Sequence, residues 1–234
     1  MQSIASASRI DFAKLQQSRG YDVLMRFPWL FWSAFAVFGQ MVALARYMRE
    51  GDPAVSYPVW ALNVAARTAT ITFLLLLASA VILRARPTAR ARGLEPRISA
   101  FIGTFLVSAI PLCPRHEFSL AAEMASVALI TAGSGAAVFT LLRLGSSFSM
   151  MAEARQLVTS GPYRLVRHPL YLAEELAIIG VFIQFISVEA ALLLSLQIGF
   201  QLRRMHHEEA LLADTFPEYT IYRDMTPRLI PRLY

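Results

Sequence analysis

Residues 27–45 read FPWLFWSAFAVFGQMVALA, a run of 19 residues without a charged side chain. A helix of roughly 20 apolar residues crosses the hydrocarbon core of a bilayer. The run therefore predicts a membrane-spanning helix. A second apolar run, 57–83, contains only Arg67 as a charged residue. Two such runs favour a helical membrane fold, because a backbone surrounded by lipid must satisfy its own hydrogen bonds.

The composition of the chain agrees with a surface that faces lipid. Of the 234 residues, 56% are hydrophobic and 16% are charged, and the mean hydropathy is +0.48. A soluble domain of this size carries more charge. The formal net charge of +6 comes from arginines beside apolar runs, so membrane topology explains it better than nucleic-acid binding does. The single cysteine, Cys113, excludes an internal disulfide and a multi-cysteine metal site.

Further apolar runs extend the bundle. Residues 98–113 form a shorter run, and 118–142 contain Glu123 near their start and Arg143 just beyond their end. Together with two runs near the C-terminus, they predict an all-α, polytopic membrane helical bundle with about six transmembrane helices. We predict one domain over 1–234.

The last two apolar runs, 176–188 and 190–202, are each too short to span a bilayer. Extended to 170–187 and 190–207, they predict two full helices joined by a tight turn around Ser187–Glu189. A re-entrant hairpin is the alternative. The sequence therefore predicts a C-terminal helical hairpin followed by a cytoplasmic tail.

The loop at 84–97, RARPTARARGLEPR, determines the predicted orientation. It carries five arginines and one glutamate, and short loops rich in arginine stay in the cytoplasm. Counting helices from this loop places both termini and the 143–169 segment on the same side. Residues 1–22 lack an apolar core, so we expect no cleaved signal peptide. We expect a multi-pass protein of a bacterial inner membrane, since the composition is rich in arginine.

A polar segment, LVTSGPYRLVRHPLY at 157–171, precedes the hairpin. Gly161 and Pro162 favour a turn, and Pro169 suits the first position of a helix. His168 is then the N-cap residue, beside free backbone N–H groups that attract anions.

An antiparallel hairpin turning near residue 188 brings this segment close to RRMHHEEALL at 203–212. Such a hairpin places His168 level with Glu208, and Glu174 near Arg203 and Arg204. Arg204 and Glu208 are also four residues apart, on one helical face. The two segments therefore predict two walls of one polar site at the cytoplasmic membrane face.

These residues also have structural interpretations. Tyr163 and Arg164 are typical interfacial anchors. Glu174 and Glu175 can complement a helix dipole, and Arg204–Glu208 can be a surface salt bridge.

Other charged and polar residues do not predict a metal or nucleotide site. Arg67 and Glu123 are intramembrane charges that can pair with each other. Adjacent residues on a helix point apart, so His206–His207 does not predict a metal site. The sequence contains no Walker loop, GxGxxG, GxSxG or HExxH motif.

Taken together, LVTSGPYRLVRHPLY and RRMHHEEALLADTFPEYTIYRDMTPRLIP (203–231) resemble a known group of enzymes. These are the integral-membrane methyltransferases of the isoprenylcysteine carboxyl methyltransferase and phospholipid N-methyltransferase group. The likeness covers roughly residues 140–234 and depends on a combination of motifs: G-x-Y-x(3)-RHPxY, a Glu-Glu pair, and a closing Y-x(2)-Y and PR-x-IP. It implies N-terminal transmembrane helices in 1–142 and a cofactor-binding catalytic region in 143–234.

The resemblance implies an S-adenosylmethionine-dependent methyltransferase whose lipophilic acceptor (a carboxylate, amine or thiol) enters from the membrane. It implies no nucleic-acid partner and no metal. The family's cofactor contacts fall on Gln156, Leu157, Val158, Tyr163, His168, Pro169, Leu170, Tyr171 and Glu208. Its substrate-side arginine falls on Arg204, so Arg204 and Glu208 are the implied catalytic residues. Two positions depart from the family pattern: Arg155 replaces a frequent histidine, and Ala173 replaces a frequent glycine.

Three other functions remain open at this point. A membrane sterol-type reductase using NADPH has a related C-terminal architecture. A small transporter and a non-catalytic scaffold are also compatible with a helical membrane bundle. Transporters typically have polar residues at the membrane midplane, whereas the polar cluster predicted here lies at one face.

Overall fold

The structure is a computed structural model. It describes residues 19–24, 26–50, 57–85, 87–91, 93–114, 119–149, 151 and 153–230. Most of the segment on which we expected no signal peptide, residues 1–18, lies outside the described residues, and so does Pro231 of the closing motif. The described part is mostly helical, which confirms the predicted fold class at that level.

The described residues form eight α-helices and two short strands. The helices are α1 (Arg19–Leu24), α2 (Phe27–Arg49), α3 (Tyr57–Leu83), α4 (Glu95–Phe105), α5 (Leu120–Leu144), α6 (Pro169–Gln184), α7 (Val188–Thr215) and α8 (Tyr219–Met225). The strands are β1 (Ala89–Arg90) and β2 (Glu153–Ala154), and short 3-10 helices occupy Leu106–Leu112, Gly145–Ser147 and Gly161–Arg164.

Three helices in the described ranges are long and apolar enough to cross a membrane. They are α2, α3 and the stretch Leu120–Ser147, which consists of α5 and the 3-10 turn after it. Helical structure also occurs in the other predicted regions, but there it is shorter or more polar. Helix α4 passes into a 3-10 helix that contains Pro111, and α6 has 16 residues, about 24 Å of helix. The count of six spans and the division into two regions stay predictions.

Glycines allow α5 and α6 to pack closely. A Cβ atom on Gly133 would lie 2.5 Å from the backbone nitrogen of Ala177, and one on Gly180 would lie 2.7 Å from the carbonyl oxygen of Ser126. The Ser126 hydroxyl donates to the carbonyl of Gly180 at 2.7 Å. Helix α5 also packs on α3, and α7 packs mainly on α4. Few residues of α6 and α7 have backbones close together, and polar side chains connect the two helices.

Several connections bring the polar segments to one end of the bundle. Strand β1, in the arginine-rich loop, pairs antiparallel with β2, which precedes the polar segment. At the start of α2, Arg26 donates to the carbonyl of Ile82 near the end of α3 at 2.6 Å. The 84–97 and 143–169 segments therefore lie at the same end, as the sequence predicts. The side of the membrane that this end faces stays a prediction.

Candidate functional site

The polar segment forms the turn and helix start that its sequence predicts. Gly161 has a φ of +62°, a conformation that glycine adopts without steric cost. Helix α6 begins at Pro169 with His168 as its N-cap residue, which confirms the predicted helix start. The His168 ring does not cap the helix and is stacked on the Tyr171 ring, with centroids 5.3 Å apart.

The structure has a turn between two helices here, but at Phe185–Ser187 rather than around Ser187–Glu189, because Ser187 caps the second helix and Val188 and Glu189 already belong to it. Helix α6 ends at Gln184 and α7 begins after Ser187, whose hydroxyl accepts a hydrogen bond from the Ala190 N–H at 3.1 Å. Serine is a favourable N-cap residue because its oxygen satisfies a free N–H of the first turn. The turn brings the start of α6 beside the part of α7 that contains Glu208 and Glu209.

Glu208 and Arg204 both interact with Tyr171. The Tyr171 hydroxyl donates to Glu208 Oε2 at 2.7 Å. The Arg204 guanidinium carbon lies 4.8 Å from the centre of the Tyr171 ring, and its Nη1 donates to the Thr104 hydroxyl at 3.2 Å. Arg204 is 5% exposed. Among the described side chains, Arg204 and Glu208 form no ion pair with each other, so they are not the surface salt bridge that was the alternative interpretation.

Glu209, which the sequence analysis did not single out, is the partner of His168. Its Oε1 lies 3.0 Å from His168 Nε2, and its carboxylate is paired with Arg167 and Arg228. Burial raises the pKa of Glu209, but hydrogen bonds from His168 and Arg228 outweigh that effect and lower it to about 2. His168 therefore contacts Glu209, one residue beyond the expected Glu208. The adjacent Glu-Glu pair in the sequence did not reveal which carboxylate faces His168.

The tail segment, residues 216–230, lies across the start of α6. The backbone N–H groups of Arg167 and His168 donate to the carbonyls of Pro227 and Arg228 at 2.8 and 3.1 Å. The Tyr222 hydroxyl donates to the carbonyl of Tyr163 at 2.6 Å. The N–H of His168 is therefore already used within the protein, which removes part of the anion site predicted at this helix start.

A cavity of about 340 Å³ lies inside the bundle and reaches these residues. Every predicted cofactor contact except Pro169 lines it, and so does Arg204. Pro169 is buried at the first position of α6. The lining also includes apolar side chains, namely Trp29, Trp32, Phe73, Leu74, Val107 and Ile178. The assignment of these residues to a cofactor stays a prediction.

A polar stripe runs along one face of α7, and only two of its four members were predicted as site residues. Gln197, Gln201, Arg204 and Glu208 recur at intervals of four, three and four residues, the spacing of one helical face. All four line the cavity, together with Glu174 of α6. Arg204 and Glu208 are predicted site residues, whereas the two glutamines lie within the run 190–202, which is otherwise apolar and predicts only a membrane helix.

The two departures from the family pattern have structural roles. The Arg155 guanidinium donates to the carbonyls of Phe148 and Ala85 and pairs with Glu153. It therefore connects the segment after α5 to the end of α3. Ala173 belongs to the close α5–α6 contact, where its carbonyl oxygen would lie 2.7 Å from a Cβ on Gly133.

Comparison with known proteins agrees with this arrangement. Residues 124–214, which run from α5 through the hairpin to the end of α7, match the isoprenylcysteine carboxyl methyltransferase family. This region belongs to that family. The chain is a membrane protein. Its candidate site lies largely in the region that matches this methyltransferase family. The tail segment, with Tyr222 and Arg228, lies beyond the matched residues.

Two curated relatives carry names of metal-resistance proteins. The chain is 34% identical over 111 residues to the nickel-cobalt-cadmium resistance protein NccN of Alcaligenes xylosoxydans xylosoxydans, covering 46% of this chain and 52% of the relative. It is 36% identical over 109 residues to the cobalt-zinc-cadmium resistance protein CzcN of Cupriavidus metallidurans, covering 45% and 50%. The chain spans about half the length of the curated relatives it matches.

The described residues contain no group of three or more histidine, cysteine, aspartate or glutamate side chains that could hold a metal ion. His207 of the adjacent histidines pairs with Glu95 on α4. The two histidine rings lie at 67° to each other, and Glu95 also pairs with Arg203 at 2.8 Å. These side chains connect α4 to α7.

Proposed function

We propose that the chain is an S-adenosylmethionine-dependent methyltransferase that acts on a lipophilic acceptor at the cytoplasmic membrane face. One observation supports this most directly. A single cavity contains both the polar residues between α6 and α7 and apolar side chains from helices long enough to span a membrane. Such a cavity suits a reaction between a polar cofactor and an apolar acceptor.

The residues of the cavity fit the chemistry of the cofactor. S-adenosylmethionine supplies a methyl group on a positively charged sulfur and also carries an ammonium, a carboxylate and a ribose diol. Glu208 uses one carboxylate oxygen for Tyr171 and keeps capacity for an ammonium or hydroxyl donor. The ring of Tyr163 lines the same cavity and suits a nearby cation, whereas the Tyr171 ring is already in contact with His168 and Arg204. Burial raises the pKa of Tyr163 above its ordinary value, so its phenol stays neutral.

Arg204 is the residue we assign to the acceptor. Its guanidinium lies over Tyr171 and contacts Thr104 of α4, so it is held from two sides. An arginine held in this way orients a bound group, and orientation is a large part of catalysis in a displacement that needs no strong acid or base. The tail segment covers the start of α6.

Cofactor binding tests this proposal against the reductase alternative. Detergent-purified protein should bind S-adenosylhomocysteine in isothermal titration calorimetry and show no comparable heat with NADPH. Binding of NADPH without binding of S-adenosylhomocysteine would favour the reductase. Binding of neither would favour a scaffold or transporter.

A role in metal resistance is a second candidate, because both curated relatives carry that name. We propose that any such role depends on the cavity rather than on a metal site in the described residues. Expression in a metal-sensitive bacterium should then raise tolerance to nickel or cobalt, and Glu208→Ala should abolish the gain. If cells that express the wild type and Glu208→Ala at equal levels tolerate the metal equally well, resistance does not depend on the cavity.

A further inference from the structure

The cavity extends from the polar site toward the middle of the membrane-spanning helices. Its lining residues on α2 are Trp29, Trp32, Ala36 and Gln40. Their intervals of three, four and four residues place them on one face of the helix. The rings of Trp29 and Trp32 pack on Phe105 at the end of α4, so this face is turned toward the interior of the bundle. Gln40 therefore directs its side chain into the cavity rather than toward lipid.

Gln40 lies about half-way along its helix. Arg26, at the start of α2, donates to the carbonyl of Ile82, near the end of α3, so the two helices run antiparallel from this contact. Gln40 lies about 21 Å along α2 from Arg26, and Thr70 lies about 18 Å along α3 from Ile82. Both residues line the cavity. The inner end of the cavity therefore has polar side chains at mid-helix depth.

The hydrogen bonds at this depth leave one polar group unused. The Thr70 hydroxyl donates to the carbonyl of Ala66 at 2.9 Å. In its 3.3 Å contact with Ser134, the Ser134 hydroxyl is therefore the donor, because a hydroxyl carries a single hydrogen. Both oxygens keep capacity as acceptors. The side-chain amide of Gln40, by contrast, has no hydrogen-bond partner among the residues that the structure describes.

An amide at this depth requires a partner. Lipid chains supply neither donors nor acceptors, so a polar side chain within the membrane is costly unless it is hydrogen-bonded. Gln40 is half-buried, so part of its surface stays accessible, and its position in the lining turns that surface toward the cavity. A ligand that fills the inner end of the cavity can therefore reach the Gln40 amide.

We propose that Gln40 binds a hydroxyl group of the methyl acceptor, at the end of the acceptor remote from the methylated group. This inference rests on the proposed function and adds a specificity-determining residue to it. A hydroxyl accepts a hydrogen bond from the Gln40 amide N–H and donates its own hydrogen to a free acceptor at the same depth, on Thr70 or Ser134. An apolar chain end forms neither bond, and an ether or carbonyl oxygen only accepts.

The position of Gln40 also sets the length of the acceptor. Trp29 packs on Phe105, and the preceding residue, Thr104, contacts Arg204, so Trp29 lies near the level of Arg204. Gln40 lies about 16 Å further along α2. A fully extended chain advances about 1.2 Å per bond, so roughly twelve carbons connect a head group at Arg204 with a hydroxyl at Gln40. The acceptor then has polar groups at both ends and an apolar body between them.

Matched probes test the proposal. Dodecanoic acid, dodecylamine and dodecanethiol are each compared, in identical micelles, with the derivative that carries a hydroxyl on the last carbon. Trp29 and Trp32 line the cavity, and Trp60→Phe removes the third tryptophan of the chain, so tryptophan fluorescence reports binding. For the head group that the site accepts, the hydroxyl derivative should bind at least fivefold more tightly than the parent compound.

Two further probes show whether the hydroxyl is recognised at a fixed depth. The isomer with its hydroxyl on the middle carbon has the same composition but places that group against apolar lining, so it should bind at least fivefold more weakly than the terminal isomer. The methyl ether of the terminal hydroxyl accepts a hydrogen bond but cannot donate one, and it should also bind more weakly.

A substitution assigns the preference to Gln40. Gln40→Leu keeps a side chain of similar size and removes the amide, so the parent compound and its hydroxyl derivative should then bind within about twofold of each other. Thr68→Val removes an exposed hydroxyl from α3 outside the cavity and should leave the preference unchanged. Both variants should bind S-adenosylhomocysteine within about threefold of the wild type, which also shows that they are folded.

The opposite results are equally clear. Equal affinities within every pair, equal affinities of the terminal and middle isomers, a methyl ether that binds as tightly as the hydroxyl, or a preference that Gln40→Leu retains would each overturn the inference. Absence of S-adenosylhomocysteine binding to the wild type would instead refute the proposed function.

Discussion

Glu208 is the residue at which cofactor binding is most directly testable. One of its oxygens accepts from Tyr171 inside the cavity. If Glu208 holds the ammonium or the diol of the cofactor, Glu208→Ala should weaken S-adenosylhomocysteine binding at least tenfold, about 1.4 kcal/mol. A lost hydrogen bond to a charged group costs about this much or more. Calorimetry on the purified variant measures it, with Asp214→Ala as a control. If a folded Glu208→Ala variant bound S-adenosylhomocysteine as tightly as the wild type, Glu208 would be only a structural partner of Tyr171.

Arg204 should affect turnover rather than cofactor affinity. We expect Arg204→Ala to keep the S-adenosylhomocysteine affinity within about threefold, under about 0.7 kcal/mol. Turnover should fall about a hundredfold or more, since small displacements of a reactant have effects of that size. Arg204→Lys should restore little, because an ammonium cannot reproduce the planar guanidinium stacked on Tyr171. Methyl transfer to an accepted probe measures turnover. Loss of cofactor affinity equal to that of Glu208→Ala would contradict this division of roles.

At the scale of elements, the α5–α6 contact is a candidate rigid support for the site. Gly133→Ala would place a methyl group 2.5 Å from the backbone of Ala177, and overpacking of this kind typically costs about 1–3 kcal/mol. Gly135→Ala in the same helix meets nothing within 4 Å and should be neutral or slightly stabilising, since alanine favours helices over glycine. Thermal unfolding in one detergent compares the two. Equal melting temperatures would show that the helices do not approach so closely.

The tail segment is held to the hairpin by Glu209. Arg228→Ala removes a two-point contact with that carboxylate, so trypsin should cleave after Arg223 at least tenfold faster. Arg164→Ala, which removes an exposed arginine nearby, is the control. An unchanged cleavage rate in Arg228→Ala would show that the backbone contacts alone hold the tail.

The same contact predicts a pH dependence. The pKa of Glu209 is lowered from 4.5 to about 2, so its contribution to stability is fully present above pH 4.5 and is lost as the pH falls toward 2. The difference in stability between wild type and Glu209→Gln should therefore be constant from about pH 6 to 8 and shrink only below about pH 4.5.

At the scale of the whole molecule, the prediction to test is the orientation of the helical bundle in the membrane. The arginine-rich loop and the polar segment lie at one end of the bundle, and the hairpin turn should lie at the other. In a Cys113→Ser background, cysteines at Ala89 and at exposed Val188 should be labelled from opposite sides, with Ala89→Cys accessible only from the cytoplasm. Labelling of both positions from one side would refute the topology.

The sequence alone determined the helical membrane class, the helix start at Pro169, a turn before α7 and the resemblance of the region around the site to a methyltransferase family. Each follows from local chemistry: apolar length, proline and serine at helix starts, and a motif of short range. The tertiary structure decided which partner each of the two adjacent carboxylates, Glu208 and Glu209, contacts. Glu208 and Glu209 are adjacent in sequence, yet about 100° of rotation per helical residue turns one toward Tyr171 and the other toward His168 and Arg228. The positions of Gln197 and Gln201 were likewise hidden, because only the packing of several helices makes a nearly apolar run part of a cavity wall.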